Sequence, residues 1–131
     1  PALPYTATDG TARLLETDSV SSMIVIADPD DTDATTAAIR FSIDPATRSL
    51  VESGDLRIAW FYPGELTEAK AEALAKLPDT WTKGVMPEMD EYFTIRIRPA
   101  IYLLDENQRI ILKDRPYTMA LQVFNVMVSQ Q

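Results

Sequence analysis

The sequence predicts an α/β sandwich built around a mixed sheet, with elements in the order β-α-β-α-β-β-α. Two short apolar runs, Ser22–Ala27 and Leu56–Tyr62, are typical of buried central strands, and each precedes a segment whose apolar residues recur at helical spacing. Two later apolar runs, 100–104 and 109–113, are separated by four polar residues, which predicts a hairpin. Strands joined through helices are expected to be parallel, whereas the hairpin strands must be antiparallel.

The first half of the chain is expected to supply a terminal extension, one strand and two helices. Asp9-Gly10 is a turn signal between two short extended pieces, so residues 1–20 are predicted to form an N-terminal extension or a hairpin. The spacing of apolar residues predicts a helix over 33–42. Asp44-Pro45 then starts a shorter helix that Gly54 can end.

The second half is expected to supply two longer helices and the hairpin. Trp60 is assigned to the core, and Trp81 either packs at the end of a helix or lies in an exposed binding surface. Charged residues on the first of these helices (Glu65, Glu68, Lys70, Glu72, Lys76) are interpreted as a solvated face. A helix is predicted over 65–77, where Pro78 stops it. An irregular region over 79–99 follows, with a short helix at 87–93. After the hairpin, Asp114 and Pro116 open a last helix that runs to Val128.

Composition excludes several classes of function. The chain has 131 residues, 46% of them hydrophobic, which fits a single domain over 1–131 with its core at 21–131. A net charge of -8 argues against binding to nucleic acid or to an anionic membrane. With neither cysteine nor histidine, the chain cannot build a Cys/His zinc site, a His-based triad or a disulfide. No cofactor is expected.

The apolar runs and the first residue of the chain indicate whether it spans a membrane and whether it is part of a longer protein. No run approaches the roughly 18 to 20 apolar residues of a membrane-spanning helix. The chain starts at Pro1, with neither an initiator Met nor a signal peptide, so it is expected to be a trimmed form or a part of a longer protein.

The segment ADPDDTDAT, directly after the first apolar run, is unusually acidic. A helix start favours carboxylates because its unpaired N–H groups carry a partial positive charge, which suits Asp31 and Asp33. A calcium loop is the sharper alternative, but an EF-hand pattern needs Gly at position 33 and Glu at 39, where the chain has Asp and Ile. One acidic turn also lacks the opposed walls of a glycosidase site. We expect no regular metal site; the candidates for an irregular one are Asp28, Asp30, Asp31 and Asp33.

Two segments carry a resemblance to a known family. In YFTIRIRPAIYLLDENQRIILKD, the order Ile-Arg-x-x-Pro-x-x-Tyr-Leu-Leu-Asp is similar to the cis-proline loop, strand and hairpin of extracytoplasmic bacterial thioredoxin-like proteins. In ADPDDTDAT, Asp28 and Pro29 match the start of that family's Asp-Pro-x-Cys-x-x-Cys segment. The resemblance runs from about Asp9 to Val128 and implies a three-layer thioredoxin-like α/β/α sandwich.

The same resemblance implies where the family's site lies and what this chain has lost. It places the two cysteine positions at Asp31 and Ala34, with Thr32 and Asp33 between them, and it makes Pro99 the cis-proline. Thioredoxin chemistry needs an activated thiol and a second thiol that resolves the mixed disulfide. Without them, the chain is not expected to be a disulfide oxidoreductase.

Arg98, directly before Pro99, is the remaining unusual residue of this site. In the family fold the residue at this position faces the dithiol turn, so one hypothesis pairs Arg98 with Asp31 or Asp33. The alternative is that the Arg98 side chain points into solvent, as most arginines do.

The resemblance favours a binding or scaffolding module that holds a protein or peptide ligand at the cis-proline groove, in an extracytoplasmic protein of the periplasm or cell envelope. Loss of the thiols does not remove a groove that pairs with an extended peptide. Two alternatives stay open. One is a thiol-independent enzyme that uses Asp31, Asp33 or Arg98, and the other is a domain that only packs within a larger protein.

Overall fold

The computed structural model describes residues 2–17, 19–87 and 99–130. They form seven strands and four helices. The strands are β1 (Ala2–Ala7), β2 (Ala12–Glu16), β3 (Ser21–Ile26), β4 (Leu56–Tyr62), β5 (Thr82–Val85), β6 (Ala100–Leu104) and β7 (Ile110–Lys113). The helices are α1 (Thr32–Ile43), α2 (Pro45–Glu52), α3 (Glu68–Ala75) and α4 (Tyr117–Ser129).

The strands form one mixed sheet in the order β2-β1-β5-β4-β3-β6-β7. The three central strands β5, β4 and β3 are parallel, while β6 is antiparallel to β3 and β7 to β6. The terminal hairpin β1–β2 turns at Asp9-Gly10 and joins the sheet through β5. The predicted α/β class, the mixed sheet and both hairpins are therefore confirmed.

Strand β5 is where the sequence prediction was wrong. The segment Thr82–Val85 was assigned to an irregular region because it is short, polar and contains glycine, all poor strand signals. Its strand conformation depends on pairing with β4, where Ala59 lies opposite Thr82 and Tyr62 opposite Val85. The extra strand also explains the direction of β6. The sequence predicted β6 as the next strand after α3 and therefore parallel to β4. The crossover through α3 leads to β5 instead, and β6 runs antiparallel to β4.

Helix boundaries follow the caps. The Asp44 carboxylate accepts the Thr47 N–H at 2.9 Å, and Pro45 is the first residue of α2, as predicted. The predicted start of α3 at 65 is three residues early, because Thr67 is its cap and accepts the Lys70 N–H at 3.2 Å. The short helix predicted at 87–93 extends into residues outside the described ranges.

Strand β3 lies at the centre of the core and is buried along its whole length. Its alternate residues Met23 and Val25 face a cluster to which all four described helices contribute. Ile24 and Ile26 face a second cluster, against which the hairpin residues Leu3 and Tyr5 pack. Burying one such large apolar side chain contributes about 1.5–3 kcal/mol, so this strand is a main source of stability.

Helices α1 and α3 lie on the same side of the sheet. The connections β3-α1-β4 and β4-α3-β5 each join neighbouring parallel strands, and right-handed crossovers in one direction place both helices on one face. Leu74 of α3 and Phe41 of α1 accordingly share the first cluster. In that cluster Trp81 is buried and stacks on Trp60, with ring centroids 5.7 Å apart, which decides the alternatives for Trp81 in favour of the core.

Gly84 in β5 allows the terminal hairpin to approach the sheet. A Cβ atom there would clash with the Thr6 carbonyl oxygen and would lie 2.7 Å from the Tyr5 ring. We therefore expect Gly84→Ala to lower the free energy of unfolding by about 1–3 kcal/mol, the usual cost of overpacking. Urea denaturation measures this, with Thr82→Ala in the same strand as the control. Equal unfolding midpoints for the two variants would contradict the close approach.

Candidate functional site

Three segments meet at one edge of the sheet. The turn 27–31 follows β3, and β6 pairs with β3 so that Ala100 lies opposite Ile26, which brings Pro99 next to this turn. The β7–α4 connection reaches the same place. A cavity of about 240 Å³, here called the Pro99 cavity, is lined by Asp33, Thr36, Pro99, Asp114, Arg115, Pro116 and Tyr117.

Asp31 is the N-cap of α1, as the sequence predicted. Its Oδ2 accepts the backbone N–H of Ala34 at 3.0 Å, and Ala34 itself is buried against the sheet. Such a cap satisfies one of the unpaired donors at the helix start. Asp33 lies in the first turn of α1, where a carboxylate is favoured, and its side chain is exposed at the Pro99 cavity.

The other two carboxylates of the acidic turn bind a lysine of α3. The Lys70 Nζ lies 2.7 Å from Asp28 Oδ1 and 2.7 Å from Asp30 Oδ2, and 4.9 Å from the centroid of the Tyr62 ring. Hydrogen bonds to Asp28 and then to Asp30 raise the pKa of Lys70 above its ordinary value. Asp28 also accepts the Asp30 N–H at 2.9 Å, which fixes the turn itself.

The Lys70 contacts correct the interpretation of the α3 charges as a solvated face, at this one residue. The Lys70 side chain is only 18% exposed, because it folds over the turn and the Tyr62 ring. Nothing in the local pattern of α3 signals this, since the partners lie about 40 residues earlier in the chain.

The four carboxylates are thus divided among three different contacts. Asp28 and Asp30 hold Lys70, Asp31 caps α1, and Asp33 lines the Pro99 cavity. Within residues 2–17, 19–87 and 99–130, no group of three or more carboxylates is placed to hold a metal ion.

The β7–α4 connection contributes an acceptor that the sequence did not reveal. Asp114 was expected to open the last helix, but α4 begins after Pro116 and has no side-chain cap. Asp114 instead adopts a positive φ of 54° and donates its N–H to the Ile101 carbonyl at 2.8 Å. Its Oδ1 is buried and accepts no hydrogen bond from the residues that the structure describes. Burial, and secondarily the Asp114 charge, raise the pKa of Tyr102.

Two of the predicted site residues, Asp33 and Pro99, line the same cavity. The other residues of the predicted turn lie at the adjacent start of α1: Asp31, Thr32 and Ala34. Arg98 is outside the described residues, so its pairing with Asp31 or Asp33 stays a prediction. The lining residues 114–117 are the part that sequence reasoning missed, because only the fold places this connection beside Pro99.

Solved structures provide the informative comparison, since no family model and no curated protein matches the chain. A conserved protein of unknown function from Bacteroides fragilis aligns with a TM-score of 0.82 and 26% identity, covering 94% of this chain and 93% of that one. A thioredoxin-like protein from Bacteroides caccae has a TM-score of 0.82 and 20% identity; the alignment covers 96% of this chain but 47% of that one.

A putative thiol:disulfide interchange protein from Chlorobium tepidum is more distant in sequence, with a TM-score of 0.71 and 14% identity over 97% of this chain and 92% of that one. The chain therefore has a thioredoxin-like fold, while its sequence contains no cysteine that could form or exchange a disulfide. None of the described helices is both long and apolar enough to cross a membrane.

The contacts of Lys70 predict a measurable stabilisation. We expect Lys70→Gln to lower the free energy of unfolding by about 1 kcal/mol, in the upper range for partly exposed ion pairs. Because the folded-state pKa of Lys70 is raised, its contribution is complete below about pH 10.4, the ordinary lysine value, and is lost as the pH rises above it.

Urea denaturation at pH 7, 9 and 11 tests this, with Lys76→Gln at the C-cap of α3 as the matched control. The difference between wild type and Lys70→Gln should be equal at pH 7 and 9 and smaller at pH 11. A Lys70→Gln variant as stable as Lys76→Gln at pH 7 would show that the ion pairs do not stabilise the turn.

Proposed function

We propose that the chain is a redox-inactive binding module that holds an extended segment of a protein or peptide in the Pro99 cavity and the groove around it. The observation that carries this proposal is the convergence of the α1 start, Pro99 and the β7–α4 connection on one cavity. This cavity lies where β3 has a parallel neighbour on one side and an antiparallel neighbour on the other. It lies beyond the carboxyl end of β3, and in open α/β sheets ligands bind outside the carboxyl ends of the strands.

The chemistry of the lining suits a peptide. The rings of Pro99, Pro116 and Tyr117 provide apolar surface, while Asp33 and Arg115 are exposed and carry charges of opposite sign. Apolar sites with a few placed polar groups are typical of ligand pockets. An extended peptide can combine main-chain hydrogen bonds with such side-chain contacts.

We further propose that Asp31 and Ala34 occupy the positions of the two cysteines that the resemblance implies. The hydrogen bond from the Ala34 N–H to Asp31 supports this, since a thiolate at the same N-cap would receive the same donor. A carboxylate there keeps the negative charge at the helix start but cannot exchange disulfides. A charged Arg98 would fit beside this site, because it directly precedes Pro99.

The thiol-independent enzyme is less well supported, because the Asp31 carboxylate is engaged as a helix cap. The packing domain has partial support in the exposed Leu14, Met119 and Val126, which lie on the terminal hairpin and α4. An extracytoplasmic location, taken from the resemblance, belongs to the same proposal.

Peptide binding can be tested with a phage library of random dodecapeptides selected on the immobilised chain. Peptides that are enriched should shift the backbone amide resonances of Asp33, Thr36 and Tyr117 in ¹⁵N-labelled protein, because these residues line the cavity. Thr36→Arg should weaken binding at least tenfold by filling the cavity. Ser49→Arg, an exposed helix position in α2, is the matched control.

Two results would contradict the proposal. One is a failure of the library to enrich any peptide over a blank surface. The other is a set of shifts that avoids the Pro99 cavity, above all if Thr36→Arg and Ser49→Arg bind the selected peptide equally well.

The assignment of the former cysteine positions has its own test. The double variant Asp31→Cys/Ala34→Cys should gain insulin-reduction activity in the presence of dithiothreitol, whereas the wild-type chain should show none. The N-cap and the third helical residue lie within the span of a disulfide, and the helix start lowers the pKa of the first thiol. Both single-cysteine variants serve as controls. No disulfide and no activity in a folded double variant would argue against these positions.

A further inference from the structure

Strand β7 is an edge of the sheet that carries exposed apolar side chains. Among the described strands it has one neighbour, β6, so its other side is open to a further strand. The Ile110 side chain is 60% exposed and that of Ile111 is 44% exposed, whereas Leu112 is buried. An edge strand presents main-chain N–H and C=O groups that can pair with another chain. The two isoleucines add apolar surface that such a pairing would cover.

The same strand is the centre of a basic segment in an acidic chain. Of the 12 lysines and arginines of the chain, three lie within residues 109–115, although the net charge is -8. These three, Arg109, Lys113 and Arg115, are exposed, and none forms an ion pair within the part of the chain that the structure describes. The cations at both ends of β7 are therefore available to a partner of opposite charge.

These charges restrict which strands β7 can accept. In an antiparallel pair of two copies centred on Ile111, Arg109 of one copy would lie opposite Lys113 of the second copy, and a parallel pair would place each cation beside its equivalent. Like charges that lie opposite each other destabilise a strand pair, whereas opposite charges stabilise it. The irregular register between β6 and β7 further limits unspecific pairing at this edge. The edge is thus unfavourable for a second copy and favourable for an acidic strand.

We propose that β7 is a docking edge for an extended acidic segment of another protein, which adds to the sheet as a further strand. The main chain of the partner pairs with the open side of β7, and its apolar side chains cover Ile110 and Ile111. Its carboxylates pair with Arg109 and Lys113, which select it against neutral and basic segments. This surface is distinct from the Pro99 cavity, since no residue of β7 lines that cavity.

The experiment uses ¹⁵N-labelled protein and the peptide acetyl-Thr-Glu-Val-Thr-Val-Glu-Thr-amide, whose two glutamates have the same spacing as Arg109 and Lys113. Saturable shifts of the backbone amide resonances of residues 110–113 are expected, together with slower amide hydrogen exchange in β7. The same peptide with lysines in place of the glutamates should produce neither effect, because it repels the edge. A glutamate peptide that is N-methylated at its central residues should also fail, because it cannot donate main-chain hydrogen bonds to β7.

Reversing the charges of the edge should exchange its preference. Arg109→Glu/Lys113→Glu should weaken binding of the glutamate peptide roughly tenfold and gain binding of the lysine peptide. Two variants should keep the wild-type preference: Lys76→Glu, which reverses an exposed cation at the C-cap of α3, and Thr36→Arg, which fills the Pro99 cavity.

Four results would overturn the proposal. Three of them concern the peptides: unshifted β7 amides with the glutamate peptide, equal binding of both peptides to the wild-type chain, or an unchanged preference in the double variant. The fourth is a wild-type dimer in analytical ultracentrifugation that Arg109→Glu/Lys113→Glu dissociates, because β7 would then pair with a second copy.

Discussion

Burial of β3 on both faces is the constraint on which the rest of the structure depends. A strand that is buried at every position lies inside a sheet, with helices or other strands covering each side. Its neighbours β4 and β6 then fix where its carboxyl end lies. That end is followed by the acidic turn and α1 and has Pro99 beside it, so the geometry of the site follows from the position of one strand.

The same constraint explains how this thioredoxin-like fold is stable in a chain without cysteine. The cysteine positions that the resemblance implies lie at the start of α1, outside the two apolar clusters except for the buried Ala34, where a small side chain packs well. The helix start requires an acceptor for its free N–H groups, and the Asp31 carboxylate supplies one. The start of α1 is therefore stabilised without a thiol at either of these positions.

The sequence predicted those parts of the fold that local chemistry determines. The apolar run of β3, the Asp31 and Asp44 caps and the turn at Asp9-Gly10 each carry their own signal. Strand β5 and the contacts of Lys70 do not, because both depend on partners brought close only by the complete fold. The same applies to Asp114, a helix-start residue in sequence and a buried acceptor beside Pro99 in the structure.

Helix α1 emerges as the wall shared by two cavities with different chemistry. Asp33 and Thr36 line the Pro99 cavity, whereas Ala34 and Ala38 line a cavity of about 390 Å³ between α1 and α3. The acidic turn is divided in the same way, since Asp30 reaches towards α3 while Asp33 lies at the Pro99 cavity. One helix therefore borders both cavities, with small side chains towards one of them and polar side chains towards the other, so the alternation of residue types along α1 determines the chemistry of each.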